Sequence, residues 1–492
     1  MTIPKEGRMP RIVFIEPKSP NLHIFSQFPL PRLGVFILGA LAKQKGWDAS
    51  VVIEQTQNVD FEKLRDADLV GISTITPTAP RAYAMADRIR NSDVPVIMGG
   101  PHVTFLADEA LEHADYVVRG EGEEALVRFL EEWEGGRDFR SVPNLSYRSG
   151  QGIVHNPVKP MTSTLDENPY PDFSLATSQF RKVAGKRIIP VQTSRGCPFH
   201  CSFCSVTGIF GKTYRFRSTE NVIRELKRYD SKDNFIFFYD DNFTANPKRA
   251  KALLRRMIDE KFRFHWSTQV RVDIARDDEL VCLMKMAGCH TLFIGMESVN
   301  PRSLESMKKQ QTVEEISRAV RVLRRQSIHV HGMFVYGFDD DDWRTVKETV
   351  RFAKRARLSS TQFMILTPLP GSEFYDQMTC ENRIQFRDWS LYDAHHAVFM
   401  PRGLSLFELQ KAQIFSHSKF YSIMEVIRRA ISFAWVDLSL AVYARNLNRS
   451  WQKKNRTFLK VMELCRPKKE AKIQIDYQEQ VRFEDDPVGA AV

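Results

Sequence analysis

Short, continuous apolar runs, each trailed by a helical stretch, recur in two series along this chain. That rhythm limits the fold more than any other feature. RIVFIEP (11–17), ASVVIE (49–54), ADLVGIS (67–73), VPVIMGG (94–100) and ADYVVRG (114–120) read as strands. GVFILGALAKQKG (34–46) reads as a helix ending at its glycine, and EEALVRFLEEWEGG (123–136) closes the first series. Strands covered on both faces carry unbroken apolar runs, so the pattern predicts an α/β fold with a parallel, doubly wound sheet. The second series runs from RIIPVQTS (187–194) through NFIFFYD (234–240), FHWSTQVR (264–271), TLFIGME (291–297) and HVHGMFVYG (329–337) to TQFMILTP (361–368). Its six strands fall short of a closed eightfold barrel and predict a partial (β/α)6 TIM-like barrel, with chemistry at the C-terminal strand ends.

At 492 residues the chain exceeds one ordinary core. The expected units are a Rossmann-like sheet over 1–138, a Pro-rich linker over 139–185 with a hairpin at NLSYRSGQGIVHN, and the barrel over 186–385. A C-terminal helical region over 386–470 and a polar tail over 471–492 follow. There is no apolar run long enough to span a bilayer and no recognisable leader, so a cytoplasmic chain, with or without membrane association, is expected. The net charge of +11 gathers in 248–256, 318–325 and 445–469. Solvated helix faces explain it most simply; an anionic substrate, a membrane surface or RNA are sharper readings that charge does not separate.

Of seven cysteines, Cys197, Cys201 and Cys204 fall within eight residues, in QTSRGCPFHCSFCS, directly after the first barrel strand. The scatter of the rest argues for a reducing compartment and a metal site on these three. Three soft thiolates at Cys-x3-Cys-x2-Cys spacing suit a four-iron four-sulfur cluster with one iron left open. A structural zinc site wants four ligands, and His200 inside the loop is a strained fourth. Cys282 and Cys289 read as core residues.

This segment resembles the radical S-adenosylmethionine (SAM) superfamily, over residues 187–375. The resemblance implies that the open iron holds the amino and carboxylate groups of SAM, that the cluster's electron makes a 5′-deoxyadenosyl radical, and that Phe203 lies against adenine. IGMES (294–298) is similar to the family's Gly-x-Glu element, which implies that Gly295 and Glu297 receive the SAM amino group. Ser267, Gln269 and Arg271 share one strand face, and Arg271 is a candidate for the SAM carboxylate. Asp240, with Asp241, stands at the catalytic rim as a site residue or a helix cap. FDDDDW (338–343) reads as a solvated, helix-capping loop. TPLPGSEFY (367–375) resembles the family's last-strand loop.

GEGEEA (120–125) matches a dinucleotide fingerprint, but Glu121, Glu123 and Glu124 would repel a pyrophosphate, and it follows the last strand of its series. Taken whole, residues 11–135 resemble the cobalamin-binding domain of one radical SAM class, through PLPRLGVFILGALAKQKG, GISTITPT, GGPHVTFLADEAL and VVRGEGEEAL. The resemblance implies a corrin against Ser73 and Thr76, Gly99, Gly100 and His102, and Gly120 and Gly122. The Asp-x-His-x-x-Gly cobalamin motif is absent, and His102 reads as a loop histidine more readily than as a cobalt ligand.

The expected activity is cobalamin-dependent methylation of an unactivated carbon on a small or lipid-like substrate, with an external electron donor such as flavodoxin or ferredoxin. Non-methylating radical oxidation, cyclisation or carbon–carbon coupling is the enzymatic alternative, and a cobalamin or redox sensor the non-enzymatic one. The aromatic and aliphatic stripes of 420–447, with Arg428, Arg429 and Arg445, read as core packing or as a peripheral membrane contact. No nucleic-acid partner is expected, because no RNA-binding module is recognisable.

Overall fold

The computed structural model describes residues 8–19, 21, 30–159, 164–180, 182–211, 213–432 and 434–466. The polar tail expected from residue 471 lies outside the described residues.

The first sheet has seven strands: β1 (Arg11–Glu16), β2 (Asp48–Ile53), β3 (Leu69–Ser73), β4 (Val96–Gly99), β5 (Tyr116–Val118), β6 (Leu145–Ser149) and β7 (Gly152–His155), in the order β2-β1-β3-β4-β5-β6-β7. β1 to β5 are parallel. Alternate residues of β1 feed two cores. Ile12 and Phe14 pack with the helices Leu33–Gln44 and Glu123–Glu134, while Val13 and Ile15 pack with Ala79–Arg90 and Ala107–His113. Strand order reverses between β1 and β3, which opens a ligand crevice at their carboxyl ends.

The hairpin assigned above to the linker is instead the antiparallel edge of this sheet, with Tyr116 opposite Tyr147. β5 is only three residues long, and the hairpin covers its open edge while Leu145 and Tyr147 close over Phe139.

The second sheet holds β8 (Lys182–Val183), β9 (Lys186–Val191), β12 (Asn234–Phe238), β13 (Trp266–Val270), β14 (Cys289–Glu297), β15 (His329–Tyr336) and β16 (Ser360–Ile365). A separate two-residue pair, β10 (Ser194–Arg195) and β11 (Arg215–Phe216), lies between β9 and β12 in the chain. The sheet order β16-β15-β14-β13-β12-β9-β8 is parallel except at β8, giving the six-stranded open half-barrel read from the sequence. Helices close its outer face, and their starts follow capping chemistry. Asn246 accepts from Arg249 N at 3.1 Å, and Thr312 and Glu315 form a reciprocal capping box.

Two readings of the sequence need correction here. Cys289 is buried, but Cys282 is exposed on its helix. In the 338–343 run Asp342 caps the next helix as expected, whereas Asp341 is buried and binds Gly337 N, Phe338 N and Ser303 Oγ. Burial pushes the Asp341 carboxyl up to about 6, and those three hydrogen bonds oppose the rise.

The C-terminal region forms four helices, Leu406–Phe420, Ile423–Ile431, Trp435–Lys454 and Arg456–Leu464. Among the described residues no helix is long and apolar enough to cross a membrane.

Candidate functional site

The cysteine loop leaves the carboxyl end of β9 and is held by its neighbours. Asp240, just beyond β12, is fully buried and accepts from Thr193 N at 2.7 Å, from Ser194 N at 3.0 Å and from the Thr193 hydroxyl. Its carboxylate braces the cysteine loop from the neighbouring strand end. Gly196 follows with φ +84°, where a Cβ would stand 2.7 Å from the Thr213 carbonyl oxygen, so only glycine fits. Cys197, Cys201 and Cys204 then stand half-buried on one turn, with Cys204 N donating to Cys201 O at 3.1 Å. The far side of the loop is tied to the last-strand loop by Phe374 N to Ser202 O, 2.9 Å, and by His200 Nε2 to Glu373 Oε1, 2.6 Å. His200 is thus engaged by Glu373.

Burial pushes the Cys197 thiol up and the Cys204 thiol to about 12, and Asp241 and the neighbouring thiols add to both. Such thiols need a cation to become thiolates. Among the described residues no three His, Cys, Asp or Glu side chains converge to hold a metal ion. A cubane needs no such convergence, because its thiolates are spread over separate irons.

Opposite the loop, Arg271 lies over the Phe199 ring, 3.8 Å from its centroid, and donates to the Lys309 carbonyl. Arg271 Nε has no hydrogen-bond partner, with Asp273 the nearest carboxylate at 3.8 Å. Glu297 ends β14 at φ +61°, where the strand register shifts, and its Oε1 accepts from Lys309 Nζ at 2.6 Å, both groups buried. Gln311 Nε2 donates to the carbonyls of Gly295 and Met296 at 3.2 and 3.0 Å, which leaves Oε1 buried without a partner. A Cβ on Gly295 would stand 2.9 Å from Lys309 Nζ and closer still to Glu297 Oε1, so a larger residue there must displace the ends of these two side chains. Lys309 and Gln311 were not legible as site residues. Their only signal was the polar KKQQ run ahead of the Thr312 cap.

Gln269 is half-buried, as its strand face predicts. Phe203 meets Phe338 edge-on at 6.2 Å. Tyr239 is 38% exposed, yet burial raises its phenol and Arg32 and Glu16 of the first unit are its charged neighbours, so it faces a space between the two sheets. Next to it, burial of the Asp241 carboxyl and the charge of Asp240 push that group up to about 7.

The carboxyl ends of the first sheet supply a surface of small residues. Gly100 has φ +107°, and a Cβ there would strike the Thr74 carbonyl. Gly120 N donates to Thr104 Oγ1 at 2.9 Å, and Thr104 Oγ1 donates to Gly100 O at 2.9 Å, so the loops after β4 and β5 are fastened together. A Cβ at Gly120 would meet nothing within 4 Å, which leaves room for a flat ligand. Ser73 O is held by Arg32 Nη1 at 2.7 Å, Thr76 starts a buried turn, and Gly122 lies near Leu38. His102 lies beneath this surface. Its ring is fully buried, edge-on to Trp389 at 5.1 Å, with Nε2 3.6 Å from Glu109 Oε1, so packing accounts for it rather than cobalt ligation.

The two carboxyl-end surfaces face each other. Arg195, two residues before Cys197, donates to Glu121 at 2.8 Å and to Glu123 at 2.5 Å, while Arg215 donates to Glu121 at 2.8 Å. Two of the three glutamates that argued against a dinucleotide, Glu121 and Glu123, therefore clamp the first unit to the cysteine loop. Phe105 enters alongside, so close to Gly371 that no Cβ fits there, and it lies with the Gly371 carbonyl oxygen against Gly208. Trp389, from the segment after the barrel, donates to Glu109 at 2.9 Å and completes the contact.

A radical SAM superfamily model matches residues 191–353, and a B12-binding domain model matches residues 25–130. An uncharacterised methyltransferase of Pyrococcus horikoshii is 31% identical over 414 residues, spanning 82% of this chain and 90% of that protein. The bacteriochlorophyllide d C-12(1)-methyltransferase of Chlorobaculum tepidum is 29% identical over 397 residues, spanning 80% and 83%. This chain is a cobalamin-dependent radical SAM enzyme. The structure of the radical SAM methyltransferase TsrM from Kitasatospora setae, with cobalamin and a cluster bound, shares its fold at TM-score 0.63 and 19% identity, over 76% of this chain and 75% of that one.

The cofactors of this radical SAM enzyme are a four-iron four-sulfur cluster, SAM and cobalamin. The residues present fit them: three half-buried thiols, an unpaired Arg271 Nε and Gln311 Oε1 beside them, and a glycine surface opposite. Gly295→Ala should displace the Glu297–Lys309 pair. Overpacking of this kind costs about 1–3 kcal/mol, and SAM affinity, read by equilibrium dialysis on the cluster-loaded protein, is expected to fall about tenfold. Unchanged affinity would show that the pair does not touch SAM.

Proposed function

We propose that this enzyme methylates an unactivated carbon of a small, apolar or lipid-like acceptor. The observation that carries the reading is the apposition of the cysteine loop and the small-residue surface, locked by Arg195 against Glu121 and Glu123. Between such faces a radical-forming centre and a methyl carrier lie within reach of one acceptor. When bound, the cluster and SAM supply a 5′-deoxyadenosyl radical, and cobalamin supplies the methyl group.

The chain's own residues bind and orient. Cys197, Cys201 and Cys204 hold the cluster, and Asp240 fixes their loop through Thr193 and Ser194. Arg271 takes the SAM carboxylate through its free Nε, while Glu297 and Gln311 Oε1 accept from the SAM ammonium. Phe203 and Gln269 border the nucleoside. Ser73, Thr76, Gly99, Gly100, Gly120 and Gly122 support the corrin. The acceptor occupies the barrel interior, where Phe237 meets Phe293 at 5.8 Å and Phe293 meets His331 at 4.8 Å, a lining suited to an apolar molecule. Burial lowers His331 to about 4, so it is neutral at working pH and leaves that lining uncharged. A flavodoxin or ferredoxin supplies the electron, and an apolar acceptor implies a peripheral membrane contact.

Anaerobic reconstitution with iron, sulfide and hydroxocobalamin, then incubation with SAM and dithionite, tests the reading. Retained cobalamin with both 5′-deoxyadenosine and S-adenosylhomocysteine is expected. Deoxyadenosine without S-adenosylhomocysteine, in the presence of an acceptor, would shift the assignment to non-methylating radical chemistry. Neither product would overturn both.

A further inference from the structure

The helices Ile423–Ile431 and Trp435–Lys454 form an antiparallel hairpin whose outer face is apolar. On the first helix Ile423, Met424, Ile427 and Ile431 are exposed, Met424 to 70% and Ile431 to 73%. Their spacing of one, four and eight residues puts them on one side. On the second, Val436, Leu440 and Val442 are exposed beside Trp435 and Tyr443. The polar residue among them, Ser439, turns its hydroxyl back onto the Trp435 carbonyl at 2.9 Å. A contiguous apolar patch of this extent marks an interaction surface.

The hairpin is a built element. Arg429 is buried, and its Nη1 donates to Ser359 O at 2.8 Å and Asp437 O at 2.9 Å. Asp437 lies 3.4 Å from His329 Nδ1, and Arg445 donates to Tyr421 O at 3.2 Å. Ser359 and His329 stand at the amino ends of β16 and β15, so the hairpin lies under the barrel floor, away from the cysteine loop.

Charge selects the occupant. Residues 423–460 contain eight Lys or Arg and two Asp or Glu. Both acids face inward or are paired, Asp437 with His329 and Glu425 with Arg428 at 2.7 Å and Lys354 at 3.5 Å. Beyond Tyr443 the same helix side continues as exposed Arg449, Lys453 and Lys454. An apolar patch bordered by cations and aromatic rings matches the acyl and headgroup layers of an anionic bilayer. A second copy would set the basic border against itself.

We propose that the outer face of this hairpin docks on an anionic phospholipid bilayer and holds the barrel floor at its surface. The surface serves the apolar-acceptor reading above and rests on it for its purpose. Its test needs neither SAM nor acceptor, so either can fail alone.

The full chain is sedimented with vesicles of phosphatidylcholine alone and of phosphatidylcholine with phosphatidylglycerol. The wild type is expected to partition about tenfold more strongly onto the anionic vesicles, and the preference should fade with added salt. Ile427→Glu with Leu440→Glu should lower binding about tenfold or more, with an unchanged circular-dichroism melt because both side chains are exposed. Lys453→Ser with Lys454→Ser should flatten the salt dependence. The proposal is overturned if the wild type stays in solution with both vesicles, or if the double Glu variant pellets as the wild type does. A size-exclusion dimer that the double Glu variant dissolves, without pelleting by either protein, assigns the face to a second copy instead.

Discussion

Cys201→Ala, reconstituted anaerobically, should lack the visible absorption of a thiolate-bound four-iron cluster and release no 5′-deoxyadenosine from SAM. Three thiols are all that this loop offers, and His200, the nearest substitute, is held by Glu373. Removing Cys201 leaves two ligands for four irons, so the loss of cleavage should exceed about a thousandfold, or roughly 4 kcal/mol of barrier. Cobalamin retention is the internal control, because the corrin surface is built on the other sheet. A variant that binds cobalamin normally but has lost the cluster fits this account. A variant that keeps both the cluster and SAM cleavage would place the iron elsewhere.

Arg195→Met tests the clamp between the two units. Glu123 is buried, and burial alone would push its carboxyl up; the Arg195 guanidinium outweighs that and holds it below the usual range. Its low folded-state value stabilises the protein above the unfolded carboxylate range, and this contribution is lost as pH falls through the folded value. Removing one partner of a buried ion pair costs about 3–5 kcal/mol. Arg195→Met should therefore lower the denaturant midpoint at pH 7 and loosen cobalamin. Replacing the whole set is far cheaper. The quadruple variant Arg195→Met, Arg215→Met, Glu121→Gln, Glu123→Gln, which removes every charge of the clamp, should recover most of the stability at pH 7. If the single variant loses less than about 1 kcal/mol, the two units are held by something other than these charges.

The clamp also shows where sequence reading stops. The strands were legible because β1, β3, β9 and β14 are apolar runs, and the cysteine loop because its spacing admits few chemistries. GEGEEA displayed its charges openly, enough to reject a nucleotide, but the partners are 72 and 94 residues away, at Arg195 and Arg215. A single sequence holds no signal for such a separation. The same holds for Lys309, which reaches Glu297 from a loop with no motif of its own, and for Asp240, whose position at a strand end suggested a ligand while its burial makes it a brace. The 145–155 hairpin was recognised as a hairpin but placed in the linker, since its pairing with β5 depends on an edge that only the assembled sheet presents.

Phe105 has a consequence for how far this enzyme can be altered. One phenyl ring fills the space into which a Cβ on Gly371 would project, and the Gly371 carbonyl in turn blocks a Cβ on Gly208, so the contact between the first unit and the barrel has a gauge set by the thickness of an aromatic ring. Widening that gauge with a methyl group at either glycine, or narrowing it by trimming Phe105, would move the carrier relative to the radical centre without altering a single ligand. A chimaera that exchanges one unit should therefore carry the ring and both glycines from the same parent.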